Sequence, residues 1–300
     1  MNVTFIGLGR MGMPMASNLV KGEGIELTVV NRSQGKVQEM VERGAVAGTT
    51  PAAASADAEV VHLCLSGEET VEAVLTGAEG VLAGAKPGTI VVDDSTIHPD
   101  AAKRMGAACA AKGVHYLDAP VSGTGVVAWE GRLTIMCGGG ADTFARAQPS
   151  ISAMSAQSFL MGPVGSGNMT KLINNMLGDS NQVAILEAFT LAAAHKMDMP
   201  ALLKVLLVSS GNSRQLGRIG PKLLARDFEQ TSSLGGHVKT QAHIRALARQ
   251  VGLQTPLRDA VEAFWIRGQE AGLGPGDPTY AITLLEAQTG VEVRGTSAEG

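Results

Sequence analysis

The sequence predicts an α/β domain with a parallel sheet, followed by an all-α domain, the two joined by a long helix. Three observations carry this expectation. In the first half, short apolar runs (VTFIGL, ELTVV, AEVVHLCL, GTIVVDDS) alternate with stretches of helical spacing such as MGMPMASNLVKG and TVEAVLTGAEGVL, the pattern of βαβ units. From Asn168 to about Asp198, Ala, Leu and Met recur at helical spacing without a break. Beyond that, segments such as PALLKVLLVSSG and HVKTQAHIRALARQVG read as helices separated by Gly and Pro.

Taken in order, the strand-like runs of the first half are followed by two more, VHYLDAPVSG and RLTIMCGG, and the character changes after Gly162. The expected domains are therefore 1–163 and 164–292, with 293–300 as a solvated tail. The 300 residues are 45% apolar, enough for substantial cores, but only 3% aromatic, so Ala, Val, Leu, Met and Gly must fill them. A formal net charge of −4 gives no electrostatic footing for nucleic acid. Cys64, Cys109 and Cys137 are few, odd in number and widely spaced, as in a reduced cytoplasmic protein. The start, MNVTFIGLG, enters a strand with no basic, signal-like segment, and no apolar run is long enough to span a bilayer. A cytoplasmic location and no membrane partner are expected.

The first turn carries the first chemistry. GLGRMG sets Gly7, Gly9 and Gly12 at GxGxxG spacing between a strand and a helix. Gly7 permits the tight turn, Gly9 lets backbone approach a pyrophosphate, and Gly12 lets the helix pack close. With Leu8, Arg10 and Met11 between them, these residues are expected to bind a dinucleotide in a Rossmann-type domain. A carboxylate at the end of the second strand would accept bonds from a ribose diol and repel a 2′-phosphate. Here the positions hold Asn31, Arg32 and Ser33, which are donors, and Arg32 can pair with phosphate in a bidentate way. NADP(H) is expected over NAD(H), against the plainer reading of Arg32 as a solvated loop residue. Leu65 and Ser66, after AEVVHLCL, are counted with the cofactor-binding residues.

Two later motifs suggest the substrate site. In DAPVSGTG, Ser122, Gly123 and Thr124 offer hydroxyl and backbone donors suited to a carboxylate, although a plain loop would look the same. In GSGNMTKLINN, Lys171 and Asn175 share one helical face and Asn168 precedes them on that side, while Leu172, Ile173 and Met176 fall on the side expected to be buried. A partly desolvated lysine can exchange protons at neutral pH, and a surface lysine fits the same spacing.

The chain resembles the β-hydroxyacid dehydrogenase family, 6-phosphogluconate dehydrogenase-like: the group of 3-hydroxyisobutyrate dehydrogenase, tartronate semialdehyde reductase and glyoxylate or succinic semialdehyde reductases. Four segments match in order and spacing, GLGRMGMPMA, DDSTIHP, DAPVSG with GRLTIMCGG, and GSGNMTKLINN, so the resemblance covers nearly the whole chain. It implies that Ser122 and Gly123 bind the substrate carboxylate, that Lys171 transfers the proton, and that Asn175 partners both substrate and lysine. It also implies that Thr96 lies beside the nicotinamide and that Lys239 contacts the cofactor. The expected activity is an NADP-dependent oxidoreductase acting on a small carboxylate-bearing hydroxy acid or its semialdehyde, in a homodimer or homotetramer. Imine reductases and non-catalytic NADP-binding modules of the same fold are the alternatives, and both tend to lack the lysine.

The departures bear on the substrate. Thr124 stands where the family has a second glycine, and Val127 and Trp129 stand where smaller or acidic residues are usual. The family's late Lys-Asp pair is Lys239-Thr240 here. Trp129 is expected in the core. The six histidines show no metal-ligand spacing within one element, and no further carboxylates cluster with Asp93 and Asp94, so no metal site is expected.

Overall fold

The computed structural model describes residues 1–295. Strand and helix alternate from the start: β1 (Asn2–Ile6), α1 (Gly12–Val20), β2 (Glu26–Val30), α2 (Gln34–Glu42), β3 (Val46–Ala47), α3 (Pro51–Ser55) and β4 (Val60–Leu63). Then come α4 (Glu68–Thr76), α5 (Val81–Gly84), β5 (Ile90–Asp93), α6 (Pro99–Ala110) and β6 (His115–Asp118). These strands form one six-stranded sheet in the order β3-β2-β1-β4-β5-β6, with every pairing parallel. This is the doubly wound Rossmann order, with its crevice at the carboxyl ends of the strands where the order reverses.

Alternation along each strand builds two cores. Phe5, Val29, Val60, Val92 and Leu117 pack with Met15 and Leu19 of α1 on one side. Their neighbours Ile6, Val30, Val61, Val91 and Tyr116 pack with Val71, Leu75 and Met105 on the other. Parallel strands buried on both faces read as unbroken apolar runs, which is why VTFIGL and AEVVHLCL stand out. A second, three-stranded sheet joins β7 (Val121–Ser122), β8 (Leu133–Cys137) and β9 (Ser155–Leu160), with α7 (Gly125–Trp129) and α8 (Ala141–Met154) between them. β9, sequence SAQSFL, carries little apolar signal and escapes a reading by hydrophobic runs.

The long helix α9 spans Ser166–Ala194. It ends before Asp198 because the chain turns through Lys196, at φ +56°, and Asp198 caps α10 (Met199–Leu206) by accepting from the Ala201 N–H at 2.9 Å. The rest is helical: α11 (Arg214–Ala225), α12 (Leu234–Gln250), α13 (Pro256–Glu270), a 3-10 turn at Pro278–Ile282 and α14 (Thr283–Thr289). Their core gathers Leu186, Phe189, Ile219, Val261, Phe264 and Trp265. The chain divides into two units inside α9, between Lys171 and Leu172.

Three expectations meet a different outcome. Trp129 is 43% exposed, with the Arg43 guanidinium 5.3 Å from its ring centre, because α7 has too few residues to bury more than Ala128. Ile173 is 53% exposed, so the covered side of α9 runs through Leu172 and excludes its neighbour. Of the expected tail, 296–300 lie outside the described residues. Val293 within it is fully buried, its N–H donating to Glu286 at 2.7 Å, and the Gly295 N–H donates to the Leu224 carbonyl at 2.8 Å.

Candidate active site

The turn between β1 and α1 is closed on its inner side and open on its outer side. Gly7 has φ +104°, and a Cβ there would lie 2.3 Å from the Cys64 carbonyl oxygen. A Cβ at Gly12 would lie 1.9 Å from the Gly7 carbonyl oxygen, so the helix sits directly on the turn. At Gly9 an added Cβ meets nothing within 4 Å, which leaves backbone facing open space at the start of α1. Gly9 and Arg10 are exposed, Met11 is half-buried and Leu8 is fully buried. Such a turn fits a dinucleotide pyrophosphate.

Asn31 is placed against this turn. Its Oδ1 accepts from the Leu8 N–H at 3.0 Å, and its Nδ2 donates to the Ser33 carbonyl at 3.2 Å. Its amide therefore shapes the loop as well as lining it. Arg32 and Ser33 are exposed at the entrance to α2, and the Ser33 hydroxyl makes no capping bond. Lys36, which the sequence reading passed over, donates from Nζ to the Leu8 carbonyl at 3.0 Å. It brings a second cation to the end of β2, and its position in the first turn of α2 was the available signal.

The loops after β4 and β5 are tied together. The Leu65 N–H donates to Ser95 Oγ at 3.0 Å, and the Ser95 N–H donates to Asp93 Oδ1 at 3.0 Å. Asp93 Oδ2 accepts from the Tyr116 hydroxyl at 2.8 Å. Burial pushes the Asp93 carboxyl up to about 7, against the restraining bonds from Ser95 and Tyr116. Asp94 is paired at 2.9 Å with His62, whose other nitrogen is 3.0 Å from Ser150 Oγ, all buried. Burial also pushes the Asp94 pKa up, with His62 opposing. Thr96 is half-buried between Ser95 and Ile97, and Ser66 is exposed.

The serine turn and the lysine helix meet at Asp118, the last residue of β6. Asp118 Oδ1 accepts from the Gly165 N–H and Oδ2 from the Asn168 N–H, both at 2.7 Å. A buried carboxylate thus caps the first turn of α9, where the helix dipole favours negative charge. Burial raises its pKa to about 6, and these backbone bonds hold it down. Asn168, fully buried, accepts at Oδ1 from the Ile97 N–H at 2.9 Å. Gly167 is required inside the helix, since a Cβ would lie 2.3 Å from the Met136 carbonyl oxygen and 2.4 Å from that of Asp118. Asp118 thus fastens α9 to the strand leading into the serine turn, and Asn168 fastens it to the residue after Thr96. Asp118 has no signal in the sequence beyond its place in DAPVSG.

Ser122 ends β7, Gly123 has φ +153°, and Thr124 caps α7, accepting from the Val127 N–H at 3.5 Å. Its side chain is used by the helix that follows. Lys171 and Asn175 are both half-buried on α9, and Asn175 Oδ1 accepts from the Asn174 amide at 3.3 Å. Lys239 is exposed on α12 in the second unit. Among the described residues, no group of three or more His, Cys, Asp or Glu is placed to hold a metal ion, and no helix is long and apolar enough to cross a membrane.

Comparison with known proteins gives the family. Residues 2–162 match the NAD binding domain of 6-phosphogluconate dehydrogenase, and residues 165–285 match the NAD-binding domain of NADP-dependent 3-hydroxyisobutyrate dehydrogenase. The 2-(hydroxymethyl)glutarate dehydrogenase of Eubacterium barkeri is 30% identical over 294 residues, covering 98% of this chain and 97% of that protein. The solved structure of Mycobacterium tuberculosis 3-hydroxyisobutyrate dehydrogenase with L-serine is 28% identical, with a TM-score of 0.87 over 95% of this chain and 98% of that one. Psf3 in complex with NADP+ and 2-OPP is 26% identical, with a TM-score of 0.86 over 94% and 99%. With a Rossmann sheet, an open glycine turn and matches across both units, this chain belongs to the β-hydroxyacid dehydrogenase family of NAD(P)-binding oxidoreductases.

Proposed function

We propose that this protein is an NADP(H)-dependent oxidoreductase that interconverts a small β-hydroxy acid, or a related short hydroxy acid, with its semialdehyde or oxo acid. The observation that carries the proposal is the Asp118–Asn168 junction. It fixes the helix bearing Lys171 to the loop bearing Thr96 and to the strand entering Ser122 and Gly123. The segments that carry the three groups are tied to one another by these bonds, which supports a reading in which proximity drives the chemistry.

In this reading the Ser122 hydroxyl and the N–H groups of the turn bind the substrate carboxylate. Thr124 shapes the turn through its capping bond. Lys171, as an ammonium, donates a proton to the carbonyl oxygen during reduction. As a neutral amine it accepts the hydroxyl proton during oxidation, with Asn175 holding the same oxygen. Hydride transfer is the chemistry a bound nicotinamide contributes. The dinucleotide would be held by Gly7, Leu8, Gly9, Arg10, Met11 and Gly12, with Leu65, Ser66, Thr96 and Lys239 as further contacts. Arg32, Ser33 and Lys36, with no carboxylate among them, favour a 2′-phosphate. The NADP-dependent family description for residues 165–285 and the NADP+ complex of Psf3 support that choice. The L-serine complex of the mycobacterial relative supports a short hydroxy acid. Met169, Ile173 and Leu177, spaced four apart on α9 and exposed, support a homodimer or homotetramer.

The test is a rate screen by NADPH absorbance across glyoxylate, succinic semialdehyde and tartronate semialdehyde, with 3-hydroxyisobutyrate in the oxidative direction. Lys171→Ala should lower kcat by about 10²–10⁴-fold on the best substrate while leaving NADPH affinity nearly intact. Turnover of none of these compounds, or a Lys171→Ala variant with wild-type kcat, would overturn the proposal.

A further inference from the structure

A second polar cluster lies inside the helical unit. Asp179, buried on α9 one turn beyond Asn175, receives bonds on both carboxylate oxygens. Oδ1 is 2.8 Å from His237 Nδ1, and Oδ2 accepts from Gln241 Nε2 at 2.8 Å. His237 Nε2 is 3.1 Å from Ser232 Oγ, and the ring lies 5.6 Å from that of Trp265. The Ser–His–Asp order resembles a nucleophile triad. However, the N–H groups of Leu234, Gly235 and Gly236 all donate to carbonyl oxygens within the protein, so they cannot form an oxyanion hole. The arrangement is a clamp.

What it clamps is specific. Both partners of Asp179 come from α12, and they flank Lys239 and Thr240 in sequence. A buried carboxylate without partners is strongly unfavourable, so Asp179 holds these two side chains firmly.

We propose that Asp179, through its grip on His237 and Gln241, holds the stretch of α12 that carries Lys239 and so positions Lys239 for the cofactor. Asp179 is then a positioning residue, acting through α12. The proposal rests on the reading above, in which Lys239 contacts the cofactor.

The experiment measures dissociation constants for NADPH and NADH by calorimetry on the full chain, with thermal unfolding of each variant. Lys239→Ala tests the underlying reading, and NADPH affinity unchanged in it would remove that reading whatever Asp179 does. With Lys239 established, Asp179→Asn should weaken NADPH about tenfold, the scale of one lost charge-assisted contact. Asp179→Glu, which keeps a carboxylate on α9, should hold affinity to within about threefold of wild type. Unchanged affinity in Asp179→Asn would overturn the proposal. So would an equal loss in Asp179→Glu that tracks its loss of thermal stability, which would make Asp179 a packing residue.

Discussion

Asp93 allows a quantitative test of how the loop after β5 is held. Its carboxyl is fully buried and accepts from the Ser95 N–H at 3.0 Å and the Tyr116 hydroxyl at 2.8 Å. Burial raises its pKa from 3.8 to about 7. Between those values the native state holds a proton that the unfolded chain has released. Its contribution to stability is therefore complete below the unfolded pKa and is lost as pH rises through about 7. A rise of roughly three pH units, at about 1.4 kcal/mol each, corresponds to about 4 kcal/mol. Asp93→Asn removes the titration and keeps the shape, its oxygen still accepting from Ser95 and its NH2 donating to the Tyr116 oxygen. Asp94 and Asp118, also raised by burial, titrate in both proteins and largely cancel in the difference. Urea unfolding of both proteins from pH 4 to 8 should therefore show the stability difference moving toward the variant by about 4 kcal/mol. A difference that stays flat across that range would refute the argument that an unfavourably buried carboxyl anchors Ser95.

Two further predictions follow from contacts at the site. Asn168→Ala leaves the buried Ile97 N–H without an acceptor, so unfolding free energy should fall by about 1–3 kcal/mol. In the same variant kcat should drop at least about tenfold, because the Thr96 loop is no longer tied to the helix of Lys171; wild-type kcat with lowered stability would make Asn168 purely structural. Arg32→Ser should weaken NADPH by about tenfold and leave NADH unchanged, as judged from the two Michaelis constants. An equal loss for both cofactors would place Arg32 away from the 2′-phosphate.

Much of this was legible because the signals are local. The glycine turn lies within six residues, and its spacing carries its own steric reason, visible in the 1.9 Å approach a Cβ at Gly12 would make. The parallel sheet announced itself through strands apolar on both faces, and α9 through its unbroken helical spacing. Trp129 misled because a lone tryptophan is usually buried, whereas a short exposed helix carries this one beneath Arg43. Ile173 misled because α9 is apolar on more than one face, so periodicity alone does not choose the covered one.

What could not be read are the partners of the buried carboxylates. Asp118 bonds to Gly165 and Asn168 across 47 and 50 residues, and Asp179 bonds to His237 across 58. No periodicity links such positions, and an aspartate at a strand end or in a helix is ordinarily a solvated residue. Stability does not explain them either. Asp93, Asp94 and Asp118 all have raised pKa values, so near neutral pH their ionised forms work against the fold and the apolar clusters must hold it together. What Asp93 and Asp118 supply is direction, because a carboxylate accepting backbone N–H bonds, one at Asp93 and two at Asp118, fixes a backbone segment in a way that a leucine in the same space would not. Both adjoin segments that the proposed chemistry needs: Ser95 and Thr96, the serine turn, and the helix of Lys171. A site built in this way gives up stability near neutral pH for alignment, and the pH dependence expected of Asp93 is how that exchange would be seen.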